Sequence, residues 1–117
     1  MPEPLRRTAL ALAVATAGLV LPATAARADP PLPCPRIEGV CVWMGKAGRG
    51  ELWILHEARH ALLPPVLSAQ NQTGSPWCFF EQPIYKGRTR TVAAGETVHR
   101  LGFHSASARP GACGVAL

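Results

Sequence analysis

The chain has 117 residues, with 12 Lys and Arg against 7 Asp and Glu for a formal charge of +5, and it carries 12 Pro, 11 Gly and 4 Cys. From Asp29 onward the balance falls to nine basic against six acidic residues, a net +3 that forms no basic block and no basic stretch interleaved with aromatics, which excludes a nucleic-acid partner. The residues beyond Ala28 make one small domain, with a core barely large enough to stand without covalent fastening.

Residues 1–28 read as an export signal. Arg6 and Arg7 form the positive head, Ala9 to Val20 form an uncharged apolar run too short for a comfortable membrane span, and Ala26-Arg27-Ala28 offers a small-residue cleavage site before Asp29. Ala23-Thr24-Ala25 is the alternative site. The mature protein is thus expected outside the cell, with no membrane attachment after cleavage. There an oxidising environment favours two disulfides among Cys34, Cys41, Cys78 and Cys113. Of the three connectivities we favour Cys34–Cys41 with Cys78–Cys113, because Gly39 lets the short loop turn and the second bridge ties down the C-terminus.

Asp29-Pro30-Pro31-Leu32-Pro33 reads as a stiff, extended leader (residues 29–33) in which no fold begins. Val40 to Met44 is rich in β-formers and runs into the glycine-rich turn Gly45 to Gly50, after which Leu52 to Leu55 resumes as a second strand. The second half repeats the scheme with Trp77 to Glu81, a turn from Pro83 to Gly87, the strand Thr89 to Ala93, and a turn at Ala94-Gly95-Glu96. A single offset underlies this: Cys41, Gly50, Ser68 and Ala69 recur 37 positions later as Cys78, Gly87, Ser105 and Ala106, and Trp43 falls on Phe80. Gly50 and Gly87 are expected where a tightly folded hairpin needs positive φ, with Trp43 or Phe80 lying across the fold and Tyr85 adding a ring in the second half. Short strands separated by frequent turns predict an all-β sandwich of two Greek-key units, about 34–73 and 74–113, within a domain spanning 34–117.

One string competes with that reading. His56-Glu57-Ala58-Arg59-His60 has the zinc-protease form, in which His56 and His60 on one helical face would bind zinc, Glu57 would activate the metal-bound water, and Glu81 would be a third ligand. The repeat, however, sets the string opposite Ala93 to Thr97, a strand end and turn, and Leu62-Leu63-Pro64-Pro65 stops any helix after about two turns. A domain this small also lacks the sheet and helices that surround such a site. We therefore take the string as a solvated loop, with no catalytic or metal residue. His99 and His104 lack a nucleophile or orienting partner placed by sequence, Ser68 and Ser105 are expected to bond neighbouring backbone, and Asn71-Gln72-Thr73 reads as a turn.

Phe80-Glu81-Gln82-Pro83-Ile84-Tyr85-Lys86-Gly87 resembles the signature of βγ-crystallin units: an aromatic, four residues, a second aromatic, one residue and glycine. Other features widen the likeness. They are Cys34-Pro35 with Gly39, Cys41-Val42-Trp43, Asn71-Gln72-Thr73 leading into Cys78-Phe79-Phe80, and Ser105 to Arg109. Together they make the mature chain similar to the secreted actinobacterial peptidase inhibitors of family 36, typified by the Streptomyces metalloproteinase inhibitor. The first half departs from the pattern, with Gly48 where the second aromatic belongs, so its hairpin is expected to be the looser one.

The resemblance implies a monomeric, non-enzymatic inhibitor of an extracellular peptidase, with metallopeptidases foremost. It would act through a rigid, substrate-like loop, with His56 to Pro65 and Gly45 to Gly50 as candidates. Calcium-binding crystallin domains place Asp or Asn pairs where this chain has Gly102 to Ser107 and Pro65 to Ser68, which hold no carboxylate, so no cofactor is expected. The alternative is a non-inhibitory extracellular binding or structural module on the same fold.

Overall fold

The computed structural model describes residues 29–114; the expected signal segment 1–28 and residues 115–117 lie outside the described residues. Val40–Trp43 (β1), Leu52–Leu55 (β2), Ser68–Asn71 (β3), Trp77–Gln82 (β4), Lys86–Val92 (β5), Thr97–Val98 (β6) and Ser107–Pro110 (β7) form two antiparallel sheets, ordered β2-β1-β3-β6 and β5-β4-β7. The β-branched and aromatic runs Val-Cys-Val-Trp and Trp-Cys-Phe-Phe form the hearts of these sheets, flanked on both sides by partners that satisfy their backbone. Both disulfides are as expected, Cys34–Cys41 and Cys78–Cys113.

The two units are related by an offset that changes along the chain. In β1–β2 Val42 pairs with Trp53, and in β4–β5 Phe79 pairs with Arg90, a shift of 37 in both strands. The third strands differ: Val42 faces Ala69, whereas Phe79 faces Ala108, a shift of 39. The core follows the same rule. Val42 and Phe79, Leu55 and Val92, then Ala69 and Ala108 occupy matching sites between the sheets, all essentially inaccessible to solvent.

The two extra residues lie in one turn. Arg59 bridges Ala108 as Val98 bridges Ala69, so the chain passes from β2 to Arg59 through 56–58 and from β5 to Val98 through 93–97. The Greek-key closure also runs between units. The second unit lends β6 to the first sheet, and the first unit lends Arg59 to the second sheet, where Arg59 and Ala108 exchange backbone hydrogen bonds of 2.8 and 3.0 Å. Val66 and Ser105, equivalent at offset 39, bond each other's backbone at 2.9 and 2.8 Å, so the pseudo-two-fold axis passes between them.

These registers correct the serine pairing. Ser68 Oγ donates to Gly45 O (2.7 Å) and accepts from Gly48 N–H (3.0 Å), while Ser107 Oγ donates to Gln82 O (2.6 Å) and accepts from Tyr85 N–H (3.0 Å). Ser107 therefore does in the second hairpin what Ser68 does in the first. Ser105 is the counterpart of Val66 and donates instead to Phe80 O at 2.9 Å.

The leader also departs from expectation, because it docks. Leu32 N–H donates to Gln70 Oε1 (2.6 Å), the Asp29 carboxylate accepts from His99 N–H (2.8 Å), and His99 Nε2 lies 2.9 Å from Pro30 O. Gly48 takes the same left-handed turn as its counterpart Tyr85, with φ of 73° against 59°. A Cβ at Gly48 would stand 3.3 Å from Leu32 and Pro33. The first hairpin is thus covered by its own N-terminal segment where the second carries a tyrosine. Asn71, at the end of β3, is fully buried, its amide donating to Ser75 O and Val92 O and its Oδ1 accepting from Thr73 N–H and Oγ1. The Asn71-Gln72-Thr73 turn is organised by that side chain.

Candidate functional site

His56-Glu57-Ala58 is the short turn out of β2, and Arg59 is already extended and bonded to β7. The helical turn that would bring His56 and His60 onto one face does not form. The His56 ring sits against Gly39, beside a groove of about 320 Å³ that it shares with Glu38 and Trp77. The backbone of His60 instead meets the second hairpin, where Ile84 N–H donates to His60 O at 2.9 Å. Glu81 is engaged by Arg88, whose Nε and Nη2 reach its two carboxylate oxygens at 3.1 and 2.8 Å. That pairing holds the Glu81 carboxyl below its ordinary range, chiefly through the Arg88 side-chain hydrogen bonds. Among the described residues no three His, Cys, Asp or Glu side chains gather into a metal-holding group.

The loop that carries the string is fastened at several points. Beyond Arg59 and His60, Leu62 is fully buried and donates its N–H to Ala106 O (2.8 Å), and Val66 is bonded across the pseudo-two-fold axis. Between those anchors Leu63-Pro64-Pro65 stands clear of the sheet, with Leu63 72% exposed. Two successive prolines fix their own backbones and restrict Leu63 before them, so the loop offers a large apolar side chain on a backbone with little freedom left to lose. The second unit uses the equivalent slot differently. Leu101 is anchored as Leu62 is, its N–H donating to Leu67 O (2.9 Å), but Gly102 replaces Leu63 and Phe103 turns inward beneath Arg88.

The second hairpin adjoins this loop. Phe80 and Tyr85 meet edge to face with centroids 5.5 Å apart, and the Arg109 guanidinium lies 5.2 and 5.1 Å from the two rings. Gly87, at φ 87°, is held to glycine by space as well as by conformation, because a Cβ would stand 3.1 Å from Gln82 Cγ and 3.2 Å from Glu81 Cβ. Trp43, the counterpart of Phe80, is buried, and Gly50 takes φ 83°. At the hairpin tip Ile84 is 55% exposed. The other candidate loop, Gly45 to Gly50, is partly occupied by the docked leader. Sequence reasoning placed Leu63 in a candidate loop and Ile84 in the hairpin signature without singling out either; their signal was apolar side chains inside turn segments rich in proline and glycine.

The sequence profile of peptidase inhibitor family I36 matches residues 27–92. No curated protein matches the chain. Among solved structures, one described under the evolution of the eye lens βγ-crystallin domain fold superposes with a TM-score of 0.57 at 12% identity, covering 67% of this chain and 89% of its own. A βγ-crystallin from Ciona intestinalis gives 0.54 at 13% identity over 62% and 98%, and the N-terminal domain of Protein S gives 0.52 at 17% over 66% and 99%. At these identities the neighbours establish the fold alone, a βγ-crystallin-like sandwich. Among the described residues no helix is long and apolar enough to cross a membrane.

Proposed function

From the premise that the chain belongs to peptidase inhibitor family I36, we propose that it is a secreted inhibitor of extracellular metallopeptidases, acting through the loop from His56 to Pro65. The observation that carries the choice of loop is Leu63: 72% exposed, it sits between the buried anchor Leu62 and two prolines on a backbone tied to β7 and to the second hairpin. A loop so held enters a peptidase cleft with little ordering entropy to lose, and its apolar side chain fits an apolar specificity pocket. The choice of metallopeptidases rests on the family resemblance of the cysteine and hairpin motifs. Export is supported by the composition of residues 1–28 and by the two disulfides.

The test is inhibition of thermolysin by the oxidised, secreted protein, with bound zinc measured on the same preparation and Leu63→Asp and Glu57→Gln alongside. Dose-dependent inhibition at a protein excess too small to strip the enzyme's zinc, lost in Leu63→Asp and kept in Glu57→Gln, is expected. Absence of inhibition across a panel of secreted peptidases at micromolar protein would leave the non-inhibitory module instead. Stoichiometric zinc with peptide cleavage that disappears in Glu57→Gln would reverse the assignment altogether.

A further inference from the structure

The pseudo-two-fold axis gives the domain two equivalent faces, each made of one unit's crossing loop and the other unit's hairpin tip. On one face Ile84 N–H bonds His60 O, and on the other Ala47 N–H bonds His99 O, both at 2.9 Å. The Ala47 face is furnished with small residues, Ala47 and Gly102, and is capped by the leader through Asp29 and Pro30. The segment that meets the Ile84 tip at His60 continues three residues later to Leu63, and Leu63 and Ile84 are two of the three exposed large apolar residues among those described.

Ile84 is the residue that the fold itself does not explain. Its φ is +58°, in the left-handed region, where a β-branched side chain is a conformational outlier; Gly, Asn or Asp suits such a position, and the first unit uses Ala47 at φ 53°. Nor is it strained in order to fill a core, since 55% of it faces solvent. Strain kept at an exposed apolar side chain, next to a loop already suited to a cleft, marks a contact residue.

We infer that Ile84 is a second anchor of the inhibitory face, and that it and Leu63 together select a peptidase with two adjoining apolar subsites. This rests on the proposed inhibitor function and names the target chemistry of that same site. The face is single: its symmetry mate is covered by the leader and has Ala47 and Gly102 at the positions of Ile84 and Leu63.

The experiment compares wild type, Ile84→Asn and Ile84→Leu in thermal unfolding and in inhibition of thermolysin, with sedimentation of each protein alone. Asparagine tolerates the left-handed backbone, so Ile84→Asn is expected to raise Tm by about 5 °C. The same substitution is expected to raise Ki by about tenfold or more through loss of the apolar contact, whereas Ile84→Leu keeps Ki within about threefold of wild type. Unchanged Ki in Ile84→Asn, with wild type inhibiting, overturns the inference and leaves the inhibitor function standing. A lower Tm in Ile84→Asn overturns it too, by making Ile84 a structural residue. A wild-type dimer that Ile84→Asn dissociates would assign the tip to a second copy of the chain. A wild type that inhibits no peptidase removes function and inference together.

Discussion

Replacing Ser107 by alanine tests the register of the second unit, because the hydroxyl holds a hairpin closed from the neighbouring strand. It removes the bond donated to Gln82 O and the acceptor of Tyr85 N–H, at 2.6 and 3.0 Å. Two such bonds at about 1 kcal/mol each give a loss of about 2 kcal/mol. For a domain of this size each kcal/mol lowers Tm by about 4–8 °C, so a fall of about 12 °C is expected. Ser68→Ala, which breaks the matching pair in the first hairpin, should cost about the same. Ser105→Ala should cost about half as much, because its single hydroxyl proton is shared between Phe80 O at 2.9 Å and Ser107 O at 3.1 Å, and Phe80 O keeps a second donor, Ala106 N–H at 2.9 Å. Thermal unfolding by circular dichroism reads the Tm shifts, and urea titration at constant m-value confirms that stability alone has changed. A loss in Ser105→Ala equal to or larger than that in Ser107→Ala would refute the reasoning, and with it the 39-residue offset of the third strands.

The two disulfides should differ in the same assay. Removing Cys34–Cys41, which spans 7 residues, costs about 2.5 kcal/mol in the chain-entropy account, and removing Cys78–Cys113, which spans 35, costs about 4 kcal/mol. The first removal should also release the leader, seen as faster hydrogen exchange at Leu32 N–H; the opposite order of Tm losses would contradict this. The Glu81–Arg88 pair predicts an acid-side dependence. The folded carboxyl is held below its unfolded value, so its contribution is present above the ordinary carboxylate range and is lost as pH falls through the depressed folded value. Wild type and Glu81→Gln should therefore differ most near neutrality and converge in acid, by an amount that added salt reduces because the pair is exposed. A difference that grows on acidification would show the sign to be wrong.

The two-unit sandwich was legible because cysteine, aromatic and glycine positions recur at one spacing through the first two strands of each unit, where packing and turn geometry leave little choice of residue. The third strand is obscured by its own composition. Ser105-Ala106-Ser107-Ala108 contains the Ser-Ala pair twice, two residues apart, so either copy matches Ser68-Ala69 and a shift of two keeps every side chain on the same face of the sheet. The docked leader was hidden for another reason. Its contacts are a backbone N–H on Gln70 and a carboxylate on a backbone N–H, and the gap that it covers is marked only by Gly48. The turn at Asn71-Gln72-Thr73 was legible but the burial of Asn71 was not, because a buried side chain that organises a turn uses the same amino acids as a solvated one. In His56 to His60, the zinc-protease spacing arose where a three-residue turn meets the first residues of a crossing segment.

That three-residue turn bears on the proposed site as well as on the zinc-protease spacing. It delivers Arg59 to β7 directly, and the chain must still travel from Arg59 to β3 over the same number of residues that join β6 to β7 in the second unit. In the second unit Phe103 spends that length by turning inward under Arg88. In the first unit its counterpart is Pro64, which is exposed and offers no inward ring, and Leu63 replaces a glycine. Since Leu62 and Leu101 are anchored alike, exchanging Gly-Phe for Leu-Pro between identical anchors turns an internally packed bend into an outward-facing one. Only one hairpin tip adjoins that bend, and it carries the strained Ile84. The opposite tip carries Ala47 beside a bend covered at His99 by Asp29 and Pro30. A symmetric scaffold thereby acquires one open apolar face and one closed face through a handful of local side-chain choices, leaving the paired core residues and their registers intact.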